Sequence, residues 1–351
     1  MIDLHAHILP ALDDGPRSMG ESVALCRALV EGGVVCAVAT PHMFDGVFDV
    51  PPEAVYGAVR ALAARLAAEG VPLRVLPGAD VRADVRVLDA ARAGTLVWLG
   101  EDRGSFAQYC TRSTWGWAGA LPSHPQDLPR SGRQHGHKKG DTPKGVVHAV
   151  WHRRGARVAS QRCPILRGGM EEYTDHAGGG KAQNPGVWGG APGVPENVPG
   201  PFFRYVLLEL PGDLVPPGFD WFLFELGRAG YTAVLTHPER CGAVQADLAV
   251  LEDLVDGGVL VQVSASGLTG DFGRRVRGAA RRMLRRGLVH CLASDCHDLR
   301  RRPPRLAEAV AEAARIVGPE AAGALVEANP AAILAGEPLP CGEPAAAVPF
   351  A

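Results

Sequence analysis

Imidazoles and carboxylates recur at the ends of short apolar runs along this 351-residue chain. The first run opens the sequence as Ile2-Asp3-Leu4-His5-Ala6-His7. Side chains on a strand alternate with period two, so His5 and His7 share a face. Two neutral imidazoles converging there suit a zinc-, manganese- or iron-type ion. Asp13-Asp14-Gly15 follows. His42 then comes after the run 34–39, Asp80 after 73–76, and Glu209 after 205–207. His237-Pro238-Glu239-Arg240 comes after 233–235, and Asp295-Cys296-His297 after 289–293. Each signal taken singly has a plainer reading. A lone histidine is more often a satisfied core residue. Asp13 and Asp14 could make a turn with Gly15, Asp295 could cap a helix, and Arg240 could be a solvated loop arginine. Ligand types repeated just past six β-like runs favour a metal centre.

The elements that would position these residues alternate. Strand candidates are 2–7, 34–40, 73–81, 95–99 or 205–210, 232–237, 259–264 and 289–294. Helical patterns lie between them at 22–31, 52–69, 83–93, 219–229, 247–256, 273–287, 304–317 and 319–335. The 52–69 segment has Pro at its first turn and Gly70 past its end, the expected asymmetry of start and stop signals. Strand-helix alternation implies parallel strands with crossover helices, an α/β fold. In a barrel of this type the active site sits at the carboxyl ends of the strands. Nearly every candidate ligand falls there. Ser264-Ala265-Ser266-Gly267 carries no usual ligand, and it reads as a turn from the sixth strand into its loop.

The alternation stops between residues 105 and 203. This stretch is rich in Gly, Pro, Trp, Arg and His, and carries 12 Lys/Arg against 6 Asp/Glu, leaving 24 and 32 for the rest. So long a patternless stretch argues for an insertion within one domain made of 1–104 and 204–340, with a tail at 341–351. Its composition suggests poor order. His135-Gly136-His137 imitates the opening pair but has no strand around it.

Composition excludes several classes. A net charge of −2 gives no electrostatic case for nucleic acid or an anionic membrane. No apolar stretch reaches the roughly 18 residues of a membrane span, and no signal peptide is visible. The eight cysteines are scattered singly, which reads as reduced thiols in a cytoplasm. Cys296 to Arg302 fits the C-x5-R spacing of cysteine-dependent phosphatases. The intervening residues offer no glycine to cradle a phosphate, so Arg300, Arg301 and Arg302 read as a solvated run, near the substrate entrance at most.

The combined motifs resemble the polymerase and histidinol phosphatase (PHP) superfamily of metal-dependent phosphoesterases. Within it they resemble the CpsB/CapC/YwqE-type bacterial protein-tyrosine phosphatases. Asp3 to Pro10 with Asp13-Asp14-Gly15-Pro16, and His237-Pro238-Glu239-Arg240, are the most specific of them. Ala39 to His42, Leu76 to Val81, Tyr205 to Pro211 and Ala293 to His297 complete the set. The resemblance implies a distorted (β/α)7 barrel of the TIM-like PHP type holding up to three divalent ions, commonly manganese (Mn2+), with iron or zinc possible. It assigns His5, His7, Asp80 and Asp295 to the first ion, and Asp80, Glu209 and His237 to the second. Asp14, His42 and His297 fall to the third, with Asp13 the adjacent alternative. Arg240 would clamp the substrate phosphate, and Glu239 would be structural or support the ligands. Arg240 and Asp14 are the candidate catalytic residues. The family's third motif ends in Glu where this chain has Asp80. The implied reaction is hydrolysis of phosphotyrosine by a metal-bridging hydroxide, on a bacterial tyrosine autokinase that controls capsule or exopolysaccharide synthesis. A small phosphomonoester such as histidinol phosphate is the alternative substrate. A barrel inactivated by the insertion is the alternative from another class.

Overall fold

The computed structural model describes residues 1–100 and 203–339. The expected insertion (105–203, save Phe203), the His135/His137 pair and the tail 341–351 lie outside the described residues.

Among the described residues, nine parallel strands carry the fold: β1 (Ile2–Ala6), β2 (Cys36–Ala39), β3 (His42–Met43), β4 (Arg74–Pro77), β5 (Asp80–Arg82), β6 (Arg204–Glu209), β7 (Tyr231–Thr236), β8 (Leu260–Ser264) and β9 (Cys291–Ala293). One sheet has the order β1-β2-β4 and the other β3-β5-β6-β7-β8-β9. The run expected at 34–40 gives β2 and continues past its expected end into β3, and the run expected at 73–81 divides into β4 and β5, because Thr40-Pro41 and Gly78-Ala79 interrupt the ladder. Proline has no N–H to give it. Each run thereby serves both sheets. The run 95–99 is not a strand. Leu99 makes only an isolated antiparallel bridge to Tyr205.

The helices match their expected places closely. They are α1 (Met19–Glu31), α2 (Pro52–Ala68), α3 (Val85–Ala93), α4 (Phe219–Arg228), α5 (Gly242–Ala246), α6 (Ala249–Asp256), α7 (Ala265–Thr269), α8 (Gly273–Arg285), α9 (Leu306–Val317), α10 (Pro319–Ala324) and α11 (Ala328–Ala335). Ser18 caps α1 by accepting from the Glu21 N–H. Asp84 caps α3 by accepting from the Arg86 N–H, and left-handed Gly94 ends that helix. The helix expected over 319–335 is two helices. The expected turn at 264–267 is α7, capped by the Ser264 hydroxyl.

The larger apolar cluster lies between strands and helices, and includes Ala37, Ala39, Leu62, Leu208, Leu235 and Met283. A smaller cluster gathers Leu4, Val38, Leu76, Leu207, Val234 and Cys291, with Ile333 and Leu334 of α11 against it. The β1–β2 register shifts between Asp3 and Ala6. An irregularity of this kind re-aims neighbouring side chains. Here Leu4 joins the smaller cluster while His5, next in sequence, reaches Gln262. Past the strand ends, the Asp295 N–H donates to His5 O (2.8 Å) and the His7 N–H to Cys296 O (2.9 Å). Main-chain bonds therefore tie the first and last ligand motifs together.

Candidate metal centre

Seven of the nine candidate ligands fall into three groups that share members, with His237 and Asp295 beside them. The first group is His5, His7 and Asp80, with ligand atoms mutually within 4.8 Å. His5 Nε2 lies 3.1 Å from His7 Nε2 and 3.6 Å from carboxylate oxygens of both Asp80 and Asp295. A second group is His42, Asp80 and Glu209, and a third is His7, Asp14, His42 and His297. The grouping differs from the expected one in three respects, the first being that Asp295 stands outside the first group, 3.6 Å from His5 Nε2. His42 stands in the second group where His237 was expected, and His7 joins the third. His237 Nε2 is 3.7 Å from Glu209 Oε1, at the edge of the cluster. Asp80, shared by two groups, reaches the centre although it is one methylene shorter than the Glu of the family motif.

The backbone bends to deliver these groups. His237 (φ 34°) and Asp295 (φ 52°) are non-glycine residues with left-handed backbone. Such residues cluster at functional sites, where surrounding structure holds them in place. His237 N–H donates to Gln262 O and Asp295 N–H to His5 O, which fixes both turns.

The two aspartates before Gly15 divide their work. Asp13 Oδ2 lies 2.6 Å from His7 Nδ1, behind the ligand nitrogen. Asp14 faces forward, 3.2 Å from His297 and 3.5 Å from His42. Asp13 thus orients a ligand while Asp14 stands among the ligands. Glu239 is fully buried and accepts from the Ser264 N–H and hydroxyl, tying the 237–240 turn to β8.

Electrostatics within the cluster are strongly coupled. Burial opposes ionisation of Asp14, but hydrogen bonds from His297 and His42 outweigh it and hold the carboxyl well below its usual range. Burial would lower His42, yet Asp14, Asp80 and Glu209 raise it to about 9. Burial and then Asp80 push Glu209 up. Burial and neighbouring imidazoles keep His7 neutral, as burial and Arg240 do for His237. Buried Asp295 stays ionised against its desolvation because Arg302 and His5 lie beside it.

The donor set fits divalent cations. Asp80 Oδ2, Asp295 Oδ1 and His42 Nδ1 are buried without a hydrogen-bond partner. Buried polar atoms ordinarily have one. Mixed imidazole and carboxylate ligands suit manganese, iron or zinc.

Some residues at the site carried little sequence signal. Arg302, read as part of a solvated run, is largely buried. Its guanidinium lies 2.5 Å from Asp295 Oδ2 and 2.7 Å from His297 Nε2. The solvated reading fits only Arg300 and Arg301, which are exposed. Arg240 approaches Asp295 to 3.6 Å. Both guanidinium groups stand over the Phe272 ring, at 5.2 and 6.0 Å. Gln262 Oε1 accepts from His5 Nδ1–H at 3.0 Å. A glutamine inside the apolar run Leu260-Val261-Gln262-Val263 was the one visible hint of it.

The chain is 26% identical over 302 residues to the tyrosine-protein phosphatase YwqE of Bacillus subtilis, covering 86% of this chain and 79% of that protein. It is 20% identical over 339 residues to the tyrosine-protein phosphatase CpsB of Streptococcus agalactiae, covering 95% and 98%. A solved structure from work on YwqE of Bacillus subtilis and CpsB of Streptococcus pneumoniae, described as metal-dependent tyrosine phosphatases, superposes with a TM-score of 0.65 at 23% identity. It covers 98% of each chain, a likeness of fold. The model of the capsular polysaccharide synthesis family CpsB/CapC matches residues 1–114 and 203–335, most of the chain, and the chain belongs to that family.

Proposed function

We propose that this chain is a metal-dependent phosphoric monoester hydrolase that cleaves phosphotyrosine in proteins. The observation that carries the reading is the pair Arg240 and Arg302 beside the seven candidate ligand residues that converge in three groups. Guanidinium groups match phosphate oxygens in a bidentate fork. The tyrosine-phosphatase names of YwqE and CpsB support the same substrate class.

His5, His7, Asp80 and Asp295 would hold one divalent ion, Asp80, Glu209, His42 and His237 a second, and Asp14, His42 and His297 a third. When bound, the ions supply an activated water as nucleophile and neutralise charge on the transferring group. Manganese is the favoured metal, with iron or zinc compatible with the same donors. Arg240 and Arg302 bind and orient the phosphate, with Phe272 as their shared platform. Asp13 keeps His7 in one tautomer, and Gln262 does the same for His5. Asp14, at the open edge, ties His42 to His297 and completes the third group.

The finer architecture belongs to the same reading. Main-chain bonds between the β1 end and residues 295–296 support a distorted (β/α)7 barrel closed between its first and last strands. The partner expected from family membership is a phosphotyrosine-bearing protein of capsule or exopolysaccharide assembly, namely a tyrosine autokinase. The five described cysteines are buried and form no disulfide with one another, which supports a cytoplasmic setting. Cys110, Cys163 and Cys341 lie outside the described residues. No helix among the described residues is long and apolar enough to cross a membrane.

The test is phosphate release from a phosphotyrosine peptide, with manganese and with chelator, beside His7→Ala. Metal-dependent release that the variant loses is expected. Turnover of histidinol phosphate instead would overturn the substrate assignment. Absence of both turnover and bound metal would overturn the enzyme assignment.

A further inference from the structure

A cleft of about 610 Å³ opens off the metal-ligand cluster beside Asp14 and His297. Its walls are the 14–17 loop, the first turns of α1 and the 298–301 loop. A neighbouring cleft of about 470 Å³ shares much of this lining and continues to Asp13 and Arg302. The space is therefore continuous with the candidate site.

Three exposed arginines rim it: Arg17, Arg300 and Arg301. Arg17 and Arg301 lie almost at opposite ends of the sequence, yet both line the two clefts. Among the described residues, none of the three guanidinium groups has a carboxylate partner. The carboxylates nearby are engaged otherwise. Asp14 faces His42 and His297. Glu21 accepts the Arg17 main-chain N–H at 2.8 Å. Asp298 accepts the main-chain N–H groups of Arg300 and Arg301, each at 2.6 Å. The lining also has apolar members, Pro16, Leu25 and half-exposed Leu299. Isolated surface arginines are by default solvated. Three unpaired ones on an amphipathic cleft that leads into a phosphate-handling site suit an anionic side chain on a bound peptide.

We propose that this cleft is a second anion subsite. It reads a carboxylate or phosphate one to three residues from the phosphotyrosine being cleaved, at about 3.3 Å of extended chain per residue. The inference rests on the phosphatase reading above.

The test compares phosphotyrosine peptides whose flanks carry alanine, glutamate, or a non-cleavable phosphonate analogue of phosphotyrosine. Free phosphotyrosine serves as the reference. The acidic flanks are expected to raise kcat/KM roughly 5- to 10-fold over alanine, mainly through KM, and less at high salt. A phosphonate advantage over glutamate identifies phosphate as the preferred group, and the reverse identifies carboxylate. In Arg17→Gln/Arg301→Gln the acidic-to-neutral ratio falls to about one. In Arg301→Glu it inverts toward a lysine-flanked peptide, a result that misfolding cannot mimic. A ratio near one in the unaltered chain, or a ratio that survives the double substitution, overturns the subsite. Failure to hydrolyse any of the phosphotyrosine peptides overturns the parent reading instead. In that case fluorescence anisotropy with non-cleavable peptides gives the same acidic-to-neutral ratio as an affinity.

Discussion

Asp13 and Asp14 are chemically identical neighbours with opposite tasks, and the difference is one of direction. Asp13 lies behind His7 at 2.6 Å, and a carboxylate so placed fixes the ring's orientation and raises its basicity as a ligand. Asp13→Asn is therefore expected to weaken metal binding about 10- to 100-fold, read by calorimetric titration with manganese. Unchanged affinity would remove Asp13 from the site. Arg302 is coupled to Asp295 and His297. Arg302→Met should lower kcat/KM about 100-fold and weaken inhibition by inorganic phosphate, with Arg302→Lys only partly restoring either. Inhibition unaltered in Arg302→Met would exclude phosphate contact. At this scale sequence was informative where a residue type is scarce in its surroundings. His5, His7, His42 and His237 stand out at the ends of apolar runs. Arg302 does not stand out between Arg301 and Pro303, because only the loop's path turns that one arginine inward. Nor does adjacency in sequence say which of two aspartates points at an ion.

Elements enforce this geometry through close main-chain and side-chain fits. Glu239 and Ser264 link the 237–240 turn to the end of β8, and α7 passes directly beside them. A Cβ on Gly267 would lie 2.5 Å from Glu239 Oε1 and 2.9 Å from Ser264 Oγ. Gly267→Ala should thus destabilise the fold by about 1–3 kcal/mol in denaturant titration. A loss below about 0.5 kcal/mol, the size usual for a surface substitution, would show that the contact relaxes freely. Next to β9, His290 Nδ1 accepts the Val261 N–H at 3.0 Å, and burial pushes its pKa down to about 4. The unfolded chain binds that proton near pH 6.5. The contribution is full above pH 6.5 and is lost as the pH falls toward 4. It amounts to on the order of 2 kcal/mol between the two limits. His290→Gln should flatten the stability profile across this window. A difference profile without slope there would refute the neutral buried role. Strand and helix positions were largely legible because apolar periodicity survives in a single sequence. The splits at Thr40-Pro41 and Gly78-Ala79 were not inferred, although Pro41 carried the reason. The α7 helix was missed because five residues are too few to establish a helical period.

Across the whole molecule, parallel strands bring residues from sequence positions 5 to 297 to one end, and family membership agrees with that arrangement. The overall α/β architecture was legible from alternation alone, while its closure depends on bonds between the segment after β1 and residues 295–296 that no local pattern encodes. The described chain breaks off after Gly100 and resumes at Phe203, and the two sides meet where the Leu99 N–H donates to Tyr205 O at 2.7 Å. Loop-closure cost varies slowly with length. Replacing residues 101–202 by a short Gly/Asn turn should therefore leave the melting temperature within a few degrees and metal binding intact. A collapse of either would show that the intervening residues are needed for the fold. The Leu99–Tyr205 bridge should also serve as a splice junction. Foreign cargo with neighbouring termini, such as a fluorescent reporter or an affinity module, can be grafted there without stretching the host. Sequence added or removed at that bond would leave the strand ends that carry the candidate ligands as they are.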